Sequence, residues 1–125
     1  MIKRLNIYIS HSKKMNYEME LYKPLLNSKI GIENNLILPH SKEYNDVDTK
    51  QILIGSDLLI AEVSISGTGI GIELGRAECN NVRIICLLKK GVKCNSSVKR
   101  NFKVLEYSDE NDMIAQLEKE IYSKD

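Results

Sequence analysis

Short apolar runs alternate along the chain with longer segments of helical period, and this alternation is the main fold signal. Leu5–Ser10 reads as a first strand. Asn16–Ser28 reads as a helix, with Met15, Met19, Tyr22 and Leu26 recurring at helical spacing. Pro24 removes a backbone donor and crowds the preceding turn, which predicts a kink near Lys23. Leu36–Leu38 is a short second strand stopped by Pro39, and Val47–Ile54 reads as a helix. Leu58–Val63 is the kind of run that a central strand buried on both faces carries. Gly71–Asn80 is the next helix, Val82–Leu88 the fourth strand and Val104–Tyr107 the fifth, with a loop between these two. Asp109–Tyr122 closes the chain as an amphipathic helix with Met113, Ile114, Leu117 and Ile121 on its inner face.

The order is β-α-β-α-β-α-β-loop-β-α. Parallel strands joined by right-handed crossovers give a three-layer α/β/α sandwich, and for five strands the flavodoxin-like order 2-1-3-4-5 is expected. That order puts a switch point between strands 1 and 3, where ligands bind at the carboxyl ends of the strands. The 125 residues fit one domain spanning 1–125, without repeat, linker or low-complexity tract.

Charge narrows the partners. Eighteen basic and 17 acidic residues leave a net +1, which gives no electrostatic case for a nucleic-acid polymer. No apolar run approaches the roughly 20 residues of a membrane span. The start, Met1-Ile2-Lys3-Arg4-Leu5-Asn6, leads straight into strand 1, so a cytoplasmic protein without signal peptide is expected. Cys79, Cys86 and Cys94 lack metal-ligand spacing and are expected as reduced thiols, Cys86 in the core. Neither metal nor cofactor is implied.

Two segments leave the carboxyl ends of strands 1 and 3 and converge on one crevice. The first, Ser10-His11-Ser12-Lys13-Lys14, offers hydroxyls, an imidazole and ammonium groups that suit a phosphate. Its bland reading is a helix cap by Ser12 with solvated lysines. The second runs from Ser64 to Glu73, and Gly67, Gly69 and Gly71 permit close approach of backbone to a ligand. It lacks the Lys-Ser/Thr ending of a nucleoside-triphosphate loop. Glu73 falls in the first turn of the expected helix, in the favourable field of its positive end. An oriented carboxylate there suits attack on, or stabilisation of, an oxocarbenium-like sugar carbon.

The run Asp57-Leu-Leu-Ile-Ala-Glu-Val-Ser, followed by Gly69-Ile-Gly-Ile-Glu-Leu-Gly-Arg-Ala77, resembles the nucleoside 2-deoxyribosyltransferase superfamily. It is most similar to the branch of 2′-deoxynucleoside 5′-phosphate N-hydrolases. Ile7-Tyr8-Ile9-Ser10, Arg83–Leu87 and Glu106-Tyr107 follow in the expected order, so the resemblance covers most of the chain. It implies Glu73 as the nucleophile of N-glycosidic cleavage, with Tyr8 orienting that carboxylate or the sugar. It implies a nucleoside or nucleotide substrate and a 5′-phosphate site that includes Ser12 and Lys14, with Ser10 beside them. It implies a homodimer in which Ser96 or Ser97 reaches the neighbour's pocket. Two departures stand out. An Asp that assists departure of the base is replaced by Thr49, with Asp48 one residue earlier. A phosphate-binding Ser of the glycine loop is replaced by Gly67, with Ser66 and Thr68 on either side and Gly69 beyond.

Several side chains keep two readings. Glu62, on the central strand, either helps organise the crevice or pairs with a Lys or Arg. Arg76 is expected in a surface ion pair one turn from Glu73. His40 is an exposed loop histidine or a stacking partner for a base. Tyr17 and Tyr22 read as packing or surface residues. Three functions follow. The first is hydrolysis or deoxyribosyl transfer at an N-glycosidic bond. The second is NAD cleavage by a TIR-like domain, which Ile7-Tyr8-Ile9-Ser10-His11-Ser12 resembles at its start. The third is a nucleotide-binding module without turnover, which the Thr49 departure supports.

Overall fold

Five parallel strands form one sheet in the order β2-β1-β3-β4-β5. They are β1 (Asn6–Ser10), β2 (Asn35–Ile37), β3 (Leu58–Glu62), β4 (Arg83–Lys89) and β5 (Val104–Tyr107). The computed structural model of the protein describes residues 3–45 and 47–123. Met1 and Ile2, the start of the run read as leading into strand 1, lie outside them. Among the described residues six α-helices cover the sheet: α1 (Lys23–Leu26), α2 (Lys29–Glu33), α3 (Lys50–Ile54), α4 (Thr68–Cys79), α5 (Ser96–Asn101) and α6 (Glu110–Tyr122). The expected three-layer architecture and strand order are both present.

The two-residue period of a strand divides the core into two layers. Ile7 and Ile9 of β1, with Leu58 and Ile60 of β3, face Leu21, Leu25, Ile30, Met113 and Leu117 of one helical layer. Tyr8 of β1, with Leu59 and Ala61 of β3, faces Leu53, Ile70, Leu74 and Ala77 of the other. β3 sits between β1 and β4, so it is buried on both sides along its whole length. Asp57 fixes the β1–β3 register by accepting a hydrogen bond from Asn6 N–H at 2.8 Å and donating its own N–H to Asn6 O at 2.9 Å.

The first helix differs from its expected form. Glu18–Tyr22 winds as a π-helix, and the amide of Lys23, the first residue of α1, reaches back to Glu18 O. The irregularity expected at Lys23 is therefore a wide turn just upstream of Pro24. Widening shifts the inward face. Leu21, Tyr22 and Leu25 are buried, while Met19 and Leu26 are left exposed. Two short helices, α2 and α5, stand where the sequence reading had none. α5 is capped by Asn95, whose side chain accepts from Ser97 N–H and Val98 N–H. The last helix follows its pattern, capped by Asp109 on Asp112 N–H, with Met113 and Leu117 fully buried.

Candidate active site

Tyr8 and Ser10 lie two residues apart on β1, so their side chains leave the same face. α4 crosses that face with Ile70, Leu74 and Ala77 turned inward at helical spacing. Glu73 lies beside this stripe, half-buried, with its carboxylate over the end of β1. Tyr8 donates its hydroxyl proton to Glu73 Oε2 at 2.6 Å, and Ser10 donates to Glu73 Oε1 at 2.6 Å. Both oxygens are therefore held by charge-assisted bonds of the short, strong kind. Burial raises the Tyr8 phenol above its ordinary value and the bond to Glu73 adds to this, so Tyr8 keeps its proton and acts as a donor.

This arrangement corrects one expectation. α4 begins at Thr68, a turn earlier than predicted, and its first turn holds no acid. Glu73 sits in the second turn, beyond the strongest field of the helix end. The two hydroxyls of β1 orient the carboxylate instead.

Two cavities meet at Glu73. One, of about 460 Å³, is bordered by His11, Ser12, Lys13, Gly67, Gly69 and Glu73. The other, of about 530 Å³, is bordered by aromatic and polar groups including Tyr8, Tyr17, His40, Tyr44, Thr49 and Glu73. The first is thus hydroxyl-, glycine- and lysine-lined, and the second has the flat rings that suit stacking. Both lie at the carboxyl end of β1, beside the switch point between β1 and β3.

A ring cluster joins the cavities. His11 is buried and stacks on Tyr17 with ring centres 4.5 Å apart, and His40 lies 5.0 Å from the same imidazole. Ser12 O, 3.0 Å from His11 Nδ1, can only accept, so Nδ1 carries the proton. His11 Nε2 then accepts from the Tyr22 hydroxyl at 2.7 Å, and that hydroxyl accepts from His40 N–H at 3.2 Å. Burial lowers the proton affinity of His11. It also lowers that of His40, helped by the Lys13 charge. Tyr17 and Tyr22 are therefore packing residues, one of their two expected roles: they fix the loop after β1 against the loop after β2.

The remaining candidates are spread more widely. Ser12 Oγ accepts from Lys14 N–H at 3.1 Å within a turn and also borders the cavity, but it caps no helix, because the helical segment begins only at Glu18. Of the two lysines that follow Ser12, Lys13 borders the cavity, and Lys14, the one that the resemblance implies, is not among its lining residues. Ser66 and Ser97 border a separate, apolar cavity of about 280 Å³ between α4 and α5, and Gly67 borders both. Thr68 opens α4, and Ser96 opens α5 on an exposed surface. Asp48 is exposed and accepts from Lys50 N–H at 3.0 Å at the start of α3. Thr49, the next residue, has its hydroxyl 2.9 Å from the Tyr8 oxygen.

Two other side chains differ from their expected partners. Arg76 makes no ion pair with Glu73, whose oxygens the hydroxyls occupy. Glu62 faces the opposite layer of the sheet. It accepts from Ser64 N–H at 2.7 Å, Ser64 Oγ–H at 2.9 Å and the Tyr107 hydroxyl, with no Lys or Arg as partner. Tyr107 and Ser64 are polar residues at strand ends, a signal that sequence alone could not pair with Glu62. Cys86 is core as expected, and burial pushes its thiol up to about 12.

Neither a known family profile nor a curated protein matches the chain significantly. Solved structures do. The chain is similar to the CMP N-glycosidase BcmB of Clostridium botulinum, with a TM-score of 0.70, 17% identity, 90% of this chain and 97% of that one covered. It is also similar to a conserved protein of Enterococcus faecalis V583, with a TM-score of 0.67, 13% identity, 94% of this chain and 99% of that one covered. These likenesses span nearly the whole of both chains and concern the fold.

Proposed function

We propose that the protein cleaves the N-glycosidic bond of a nucleoside 5′-monophosphate or nucleoside, with Glu73 as nucleophile. The observation that carries this reading is a single carboxylate, held at both oxygens by hydroxyls of β1, between a lysine-and-glycine cavity and an aromatic one. The likeness in fold to a CMP N-glycosidase supports the same class of chemistry. A 5′-phosphate would lie against Ser12, Lys13, Gly67 and Gly69. The base would lie among Tyr17, His40 and Tyr44, and the sugar carbon over Glu73.

In this reading a Glu73 oxygen attacks C1′ as the carbon–nitrogen bond breaks, and its electron pair leaves with the base. The base takes up a proton as it departs. Water then attacks C1′ of the glycosyl ester, restoring Glu73 and giving a sugar phosphate and free base. A second base in place of water would make the reaction a transfer. Asp48 is the carboxylate that sequence offers for protonating the base, which requires it to leave its bond to Lys50 N–H. Ser96 or Ser97 would complete a neighbour's pocket in a homodimer.

The test is a panel of ribo- and deoxynucleosides, their 5′-monophosphates and NAD, with free base measured by chromatography and the intact protein weighed for a covalent sugar adduct. Release of base with an adduct that maps to Glu73 is the expected result. Release from NAD alone would favour a TIR-like activity. A second reading, a binding module without turnover, is favoured by the Thr49 hydroxyl standing where the resemblance expects a carboxylate. Tight binding of a monophosphate with no base released from any compound would establish it.

A further inference from the structure

Thr49 and Ser10 stand at the two ends of a hydroxyl chain that passes through Tyr8 and Glu73. A phenol has one proton to give. With that proton on Glu73 Oε2, the 2.9 Å contact between Thr49 and the Tyr8 oxygen is made by the Thr49 proton. The chain then runs in one direction, from Thr49 to Tyr8 to Glu73, and Ser10 approaches the carboxylate from its other oxygen. Hydrogen bonds in series polarise one another, so a donor to the Tyr8 oxygen makes Tyr8 a better donor to Glu73.

Local structure shows what Thr49 gives up. It is the N-cap residue of α3, a position where a threonine hydroxyl normally binds an amide of the first turn. Its side chain makes no such bond. Asp48 accepts from the Lys50 amide instead. Thr49 is thereby free to turn toward Tyr8, although it stands at the start of a helix that has use for its hydroxyl. Ser10 shows a similar commitment. It is 1% exposed, and its hydroxyl faces Glu73. The terminal torsion of a glutamate is broad. Donors at both oxygens, set by one pleat repeat of β1, hold it in a single orientation.

We propose that Thr49 and Ser10 are positioning residues for Glu73, Ser10 acting directly and Thr49 through Tyr8. This rests on the reading of Glu73 as nucleophile: Ser10 holds one oxygen of that carboxylate, and Thr49 reaches it only through Tyr8. The preferred variants are the isosteric Thr49→Val, the small Ser10→Ala and the conservative Thr49→Ser. In Ser10→Ala kcat should fall about 10- to 100-fold, as for loss of a hydrogen bond to a charged group, and in Thr49→Val about 5- to 10-fold, because the lost bond joins two hydroxyls. KM should stay within about threefold, because the substrate loses no contact of its own. Thr49→Ser should recover kcat to within about threefold of wild type, since the hydroxyl returns without the methyl group.

A second readout is independent of turnover. The proton between Tyr8 and Glu73 should give a downfield NMR signal that is absent in Tyr8→Phe. It should shift in Thr49→Val and return in Thr49→Ser. Wild-type kcat in both Thr49→Val and Ser10→Ala would overturn the proposal, as would a Thr49→Ser variant no better than Thr49→Val. If the wild-type protein releases base from no compound in the panel, the proposed function fails by itself. The positioning role of Thr49 is then decided by the Tyr8 signal, and an identical signal in wild type and Thr49→Val refutes it.

Discussion

The same three residue types meet twice in this molecule, once on each face of the sheet. On one face Glu73 is held by Tyr8 and Ser10. On the other Glu62 is held by Tyr107 and Ser64. The second cluster is closed: Glu62 is 2% exposed, and Ser64 Oγ also accepts from Lys89 N–H at 2.8 Å, which ties the end of β3 to β4. The first opens onto two cavities beside the point where strand order reverses. A carboxylate with hydroxyl donors is therefore no sign of function in itself. Access to a cavity, and a place at the switch point, set the proposed nucleophile apart from a carboxylate that fastens strands together.

Exchanging each carboxylate tests this difference most severely. Glu73→Gln should lower base release by about 10³-fold or more, because an amide cannot serve as the nucleophile. Its melting temperature should stay close to wild type. Glu62→Gln should do the reverse. The amide nitrogen brings a donor to a site already supplied with donors, a cost of about 1–3 kcal/mol, or roughly 5–10 °C in Tm. Calorimetry and a chromatographic assay on both proteins are sufficient. Equal loss of activity in the two would dissolve the comparison.

The tyrosines should follow with smaller effects. Tyr8→Phe should cut kcat about 10- to 100-fold, as loss of a bond to a charged group does. Tyr107→Phe should leave kcat within about threefold and lower stability by about 1–3 kcal/mol by removing one of the two donors to the buried Glu62 Oε2. Unfolding in urea separates the two outcomes.

The loop after β1 sharpens the open site further. Ser12→Ala and Lys13→Ala should each weaken a 5′-monophosphate about 10-fold or more, with little change for the unphosphorylated nucleoside. Lys14→Ala should have the lesser effect, since Lys13 is the lysine that borders the cavity. Titration calorimetry with a matched nucleoside and nucleotide reads this directly. Equal losses for both ligands would remove the phosphate from this loop.

The smallest expected effect is on pH. Burial holds the folded-state His11 below its ordinary value. Between that lowered value and about 6.5, the unfolded chain binds the proton that the folded one refuses, so stability rises with pH there. The contribution is fully present above about 6.5 and is lost as pH falls through the folded-state value. Asp112 is also lowered, by the Ser108 amide first, but its window lies in the acid range of carboxylates. Melts of wild type and His11→Gln at pH 7.5 and 5 should show the larger acid loss in wild type. Parallel curves would mean that His11 carries none of it.

Legibility in the sequence followed range. The strands and their order were readable because a buried parallel sheet imposes continuous apolar runs, as in Leu58–Glu62, and because crossovers leave few topologies. The place of Glu73 at the crevice was readable for the same reason. The start of α4 was not, because glycines at 69 and 71 weaken local helical preference while Ile70 and Leu74 gain burial only once the sheet exists. The six-residue α5 carries too little periodicity to announce itself. Lys13 in place of Lys14, and Thr49 facing Tyr8 while Asp48 faces Lys50, are choices of one residue that depend on where a chain turns. The partners of Glu62 lie on other strands or past the strand end, and no local pattern records them.

The wide turn at Glu18–Tyr22 bears on how this chain tolerates changes in length. Tyr17 and Tyr22 are five residues apart, which on an ordinary helix would set them roughly 140° from each other. Here their ring centres are 5.1 Å apart and both reach His11. Deleting one residue from this stretch, such as the exposed Met19, would leave a spacing of four, and an α-helix would keep both rings on one side. The same deletion between Ile70 and Glu73 would turn the carboxylate by about 100° away from β1. One helix can therefore lose a residue and keep its ring pair, while the other cannot spare one.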